Sequence, residues 1–118
     1  MKTIQSLAEF QSTFKTDPVE VEVHVPGTDA AYSVFLKPLT SAQRDKFEAS
    51  VVGVDGKRDL SNLRARLVCD CLVDESGKAI GNANAIGSLD ARLVGALFDK
   101  VRELNGMDDE AVEEAGKG

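Results

Sequence analysis

Tryptophan is missing from this chain, and Phe and Tyr together supply only 5% of its 118 residues. A core built from such a sequence must be mainly Leu, Val and Ala with a few Phe. Histidine occurs once, at His24, and no familiar motif joins it to a Ser or Cys as a nucleophile pair. Long apolar runs are missing too: none approaches the roughly 20 residues that a membrane-spanning helix needs. The opening MKTIQSLAEF lacks the apolar core of a signal peptide. Basic residues are outnumbered, 14 Lys and Arg against 20 Asp and Glu, for a net charge of -6. That balance counts against nucleic acid, whose phosphates demand a basic surface. It counts equally against a polybasic membrane contact. The expectation is a cytoplasmic protein whose two cysteines, Cys69 and Cys71, are reduced.

What is present fits an ordinary folded domain: 42% hydrophobic and 29% charged residues. The length suits one domain whose core needs neither disulfide nor metal. Ser6 and Glu9 have capping-box spacing, and Leu7, Phe10 and Phe14 follow at i, i+3 and i+7, so 6–14 is expected as a short amphipathic helix. In VEVEVHV (19–25) strict alternation predicts a strand with one buried face. Turn residues at 26–29 lead to a second strand, YSVFLK (32–37), and the two form an antiparallel hairpin with a long tip. Thr40 and Gln43 repeat the capping-box spacing and open a helix to about Val51. A polar loop, 53–59, precedes a helix over 60–73 capped by Asp59. An Asn/Gly/Ala-rich connector (80–87) then leads to the longest helix, 89–105, capped by Ser88 and stopped by Asn105-Gly106. The fold class is thus α+β: a single domain over 1–106, an antiparallel hairpin packed with about four helices. Residues 107–118 form an acidic tail.

CDCLVDESGKAIG (69–81) concentrates two thiols and three carboxylates and invites a chemical reading. Each helical residue turns about 100°, so positions two apart point to opposite sides. Cys71 falls in line with Leu60, Leu63 and Leu67 on the apolar face, and Cys69 faces away. Thiols held back to back on one helix neither chelate one metal nor form a disulfide. Gly77-Lys78 lacks the glycine-rich run of a phosphate loop, and Ala79 stands where Ser or Thr would hold magnesium. The stretch reads as a helix end running into a tight turn. No catalytic, metal or cofactor site is expected, and the chain reads as an interaction protein.

On the longest helix, Leu89, Leu93, Leu97, Val101 and Leu104 form one stripe, which Val94 and Phe98 widen to about half the circumference. One core face needs a stripe of little more than 100°. The excess means contact on two sides: either a helix held between the hairpin and the 60–73 helix, or a partner surface. For the second alternative the candidate residues are Val94, Phe98, Leu104 and Met107. The hairpin's open edge offers a comparable choice between cover by its own helices and strand addition that builds a homo-oligomer.

The order of these pieces resembles the tail assembly chaperones of long-tailed bacteriophages and prophages. The resemblance rests on SLAEF (6–10), the valine-rich strand, LKPLTSAQRDKFE (36–48), RLVCDCLVDESGKAI (66–80), SLDARLVGALFDKVRELNG (88–106) and the acidic end DDEAVEEAGKG (108–118). It implies a small α+β protein of the host cell cytoplasm, absent from the mature virion. Such a protein binds the tape-measure protein, keeps it soluble and helps recruit the major tail tube protein. It also implies a frameshift-extended version of the same chain as a partner, with AGKG (115–118) near the slippery site. The competing reading is a small adaptor or regulatory domain with an unrelated protein partner.

Overall fold

The alternation of Val19, Val21 and Val23 with Glu20, Glu22 and His24 becomes strand β1, Val19–His24. It pairs antiparallel with β2, Ala31–Leu36, in a register that sets Val21 opposite Val34 and Val19 opposite Leu36. The valine face turns inward, with Val23 fully buried, and the Glu/His face stays wet. This computed structural model describes residues 1–53 and 57–107. The loop read over 53–59 therefore lies partly outside the described residues, and the tail beyond Met107 wholly so. The hairpin tip is tighter than the sequence suggests. Val25 N–H donates to Ala30 O at 3.0 Å, and the Thr28 amide and hydroxyl both donate to Val25 O.

The described residues form a small α+β domain of five helices and three antiparallel strands ordered β1-β2-β3. Helix α1 is Leu7–Thr13, with Ser6 as its cap accepting from the Glu9 amide at 3.2 Å. Helix α2, Ser41–Val52, opens on the expected capping box: Thr40 and Gln43 each satisfy the other's backbone amide. Its Phe47 and Val51 enter the core.

Two helix boundaries differ from the sequence reading. Helix α3 is Leu63–Cys71, not 60–73. Asp59 does not cap it; its carboxylate accepts from the Ser61 amide and hydroxyl instead, a local turn that competes with helix. Asn62 takes the N-cap position in a left-handed conformation, φ 51°. Leu72 and Val73 leave the helix to become β3, paired with Leu36 and Phe35 on the free side of β2. The 80–87 connector contains a short helix, α4, Ala83–Gly87, which Ser88 terminates. The longest helix, α5, therefore starts later, at Ala91, with Asp90 as cap, and ends at Leu104.

As the first alternative for α5 expects, the helix packs on two sides, against β1 and against α3. Val94, Leu97, Phe98 and Val101 are its buried residues. Asn105, just past its end, ties three segments together. Its Oδ1 accepts from the Leu39 amide at 2.8 Å, and its Nδ2 donates to Val101 O at 2.8 Å and to Cys71 Sγ at 3.6 Å. A backbone amide 66 residues away in sequence is thus satisfied by one side chain. Leaving such a donor unpaired costs about 1–3 kcal/mol.

Candidate functional site

The cysteine-rich stretch separates as its helical geometry requires. Cys71 is buried beneath Asn105 and Cys69 is half-buried, with its Sγ 3.8 Å from Gly81 O; both are free thiols. Beyond Cys71 the chain does not simply exit a helix. Strand β3 intervenes, and a turn follows in which one oxygen of Asp74 accepts from the Ser76 amide, the Ser76 hydroxyl and the Lys78 amide. Those hydrogen bonds lower the Asp74 pKa, the Ser76 hydroxyl first. Gly77 supplies φ +91° there, where a side chain would be strained.

Neither thiol is activated. Burial, and next the Asp70 charge, push Cys69 upward, whereas a nucleophilic cysteine needs its pKa lowered. Burial pushes Cys71 up to about 11. Among the described residues no group of three His, Cys, Asp or Glu is placed to hold a metal ion. None of their helices is long and apolar enough to cross a membrane.

The raised Cys71 pKa carries a pH prediction. Above pH 9 the unfolded chain ionises this thiol and the folded chain does not, so the unfolded state binds fewer protons and stability falls as pH rises. With the folded value at about 11, the loss reaches about 2 kcal/mol near pH 10.5. Urea midpoints at pH 8 and pH 10.5 should show a smaller alkaline loss in Cys71→Ala than in the parent. Equal losses would show that another group carries it.

A concavity lies elsewhere, between the N-terminal ends of α3 and α5. It is a groove of about 570 Å³, lined by Leu60, Leu63, Arg64, Leu89, Val94 and Phe98, with Asn62, Ala65, Gly87 and Ala91 completing it. Leu60 and Leu89 remain 50% and 46% exposed. Both were assigned to helix stripes by their spacing, yet both stand just before their helices, which frees them to bound an opening. The Phe98 ring lies under two guanidinium groups, Arg64 at 5.7 Å and Arg102 at 5.0 Å from its centroid. At one end of the groove α4 meets α3 so closely that a β-carbon on Gly87 would stand 2.6 Å from Asn62 Oδ1.

The four residues proposed for a partner surface are dispersed by the fold. Val94 and Phe98, each 7% exposed, form part of the groove lining but belong to the core. Met107, 5% exposed, is a core residue away from the groove, and Leu104 is half-buried against that core. Sequence reasoning missed Leu60, Leu63, Arg64 and Leu89. A signal existed for one of them: Leu89 and Val94 flank the Asp90 cap at N′ and N4, the spacing of a hydrophobic staple. A second apolar surface is α1 with its C-cap residue Phe14: Leu7, Phe10 and Phe14 are 73%, 57% and 84% exposed. None of the residues of α1 is buried.

Comparison with protein-family models, curated proteins and solved structures gives no match for this chain.

Proposed function

We propose that this chain is a tail assembly chaperone of a long-tailed bacteriophage or prophage. In this reading it is non-catalytic and covers the apolar faces of the helical tape-measure protein, holding it soluble while the major tail tube protein is recruited. It acts in the host cytoplasm beside its frameshift-extended form and is left out of the finished virion. The order of elements from SLAEF to the acidic end supports the family. The observation that carries the mode of action is the groove: an open concavity of mixed lining, with Leu60 and Leu89 at its lip and Arg64 beside the Phe98 ring. That arrangement suits an amphipathic helix laid apolar face inward. A rod with uncovered apolar faces aggregates unless something occupies them.

The test is co-expression with the tape-measure protein encoded in the same genome. The soluble fraction of that protein should rise with the parent chain. It should fall back with Leu60→Asp/Leu89→Asp, which should stay folded, losing about 1 kcal/mol or less at each half-exposed position. A tape-measure protein that stays equally insoluble with the parent chain would sink the proposal.

A further inference from the structure

Asn105, the side chain that ties three segments together, is followed by Gly106; the other asparagines, Asn62, Asn82 and Asn84, precede Leu or Ala. An Asn-Gly pair can react with itself. The Gly106 backbone nitrogen gives up its proton to a base in solvent and attacks Asn105 Cγ. The N–Cγ bond forms, the Cγ–Nδ2 bond breaks, and Nδ2 takes a proton from water and leaves as ammonia. Water then opens the succinimide ring at either carbonyl, leaving aspartate or isoaspartate at 105. Amide and water become acid and ammonia, with nothing oxidised or reduced. We propose that Asn105-Gly106 is a deamidation site held shut by the fold, so that an episode of unfolding marks the chain irreversibly.

The end of α5 closes the site from the backbone side. Met107 N–H donates to Arg102 O at 2.8 Å and Gly106 N–H donates to Glu103 O at 3.2 Å. With Gly106 at φ +65°, this is the Schellman arrangement of a helix end. The attacking nitrogen is thus engaged as a donor towards the helix. The side chain closes it from the other direction: Asn105 Oδ1 is held by the Leu39 amide, and Nδ2 by Val101 O and Cys71 Sγ. Ring closure needs that nitrogen, lone pair forward, about 3–3.5 Å above the plane of the side-chain amide. Reaching it means giving up the cap and the three side-chain contacts together. The unfolded chain has neither restraint, and glycine sets no β-carbon beside the attacking atom.

The products do not fit the place they are made in. An aspartate at 105 sets an acceptor against Val101 O, where Nδ2 now donates at 2.8 Å. Isoaspartate adds a methylene to the main chain just ahead of Met107, whose side chain is 5% exposed in the core. Either acid makes the next opening more frequent, so the step runs one way.

The inference goes beyond the chaperone reading and stands apart from it, because the test uses this chain alone. The full chain is held in warm, mildly alkaline buffer, with and without guanidinium, and each asparagine is followed by peptide mapping. In guanidinium Asn105 should be lost well ahead of Asn62, Asn82 and Asn84. Without it, loss at Asn105 should be slower by about a hundredfold or more, since only opened molecules react. Asn105→Asp should show a lower urea midpoint than the parent at neutral pH. The deficit should shrink at about pH 4, where a protonated carboxyl again donates to Val101 O. Equal rates at Asn105 with and without guanidinium would overturn the proposal. So would an Asn105 that outlasts the other asparagines in guanidinium, or an Asn105→Asp midpoint equal to the parent's.

Discussion

Phe98→Ala should destabilise the domain by about 3–5 kcal/mol, because truncating a buried Phe loses its transfer energy and leaves a cavity. The ring is 7% exposed and part of the continuous core. Arg64 and Arg102 lie over it, and each cation–π contact adds about 0.5–1 kcal/mol at partly exposed sites. Small domains are stable by about 5–15 kcal/mol in total. Removing this side chain therefore lowers the melting temperature by on the order of 15–30 °C and leaves part of the population unfolded at working temperatures. Phe98 looked like a convenient contact residue from its helical position, but a substitution there tests folding before it tests binding. Thermal melts of Phe98→Ala and Leu89→Ala, side by side, check this: a loss below about 1 kcal/mol for Phe98 would show that the groove floor collapses around the gap.

The sequence made the parts of the fold that obey a period or a cap legible. Strict valine alternation gave β1, and the Thr40–Gln43 reciprocity gave the start of α2, because both signals are local and nothing tertiary competes with them. The failures share a cause. Asp59 and Ser88 both have the chemistry of an N-cap, yet each satisfies a different local group, Asp59 in a turn and Ser88 at the C-terminal end of α4. A cap residue reports that a backbone group needs a partner nearby; it does not say which one. Strand β3 was hidden for a different reason. Leu72-Val73 continues the apolar face of α3 in sequence, and only the unpaired side of β2, a long-range partner, draws it into the sheet. The groove was illegible because it is a negative shape, defined by where two helices fail to begin.

That last point can be tested by size of effect. Leu60, Leu63, Leu67 and Cys71 lie on a single helical stripe by spacing, so the sequence treats Leu60 and Leu67 as equivalent core leucines. The structure does not: Leu67 is 0% exposed inside α3 and Leu60 is 50% exposed before it. Leu67→Ala should cost about 3–4 kcal/mol, within the 2–5 kcal/mol of buried leucine truncations. Leu60→Ala should cost less than about 1 kcal/mol, since half its surface is already in water and no enclosed cavity forms. Urea denaturation of the two variants, with the slope checked for constancy so that midpoints report stability alone, separates the readings. Equal losses would mean that Leu60 joins the helix stripe and the groove closes over it. A gap of about 2–3 kcal/mol would mean that Leu60 is held at the surface, available to whatever the groove receives.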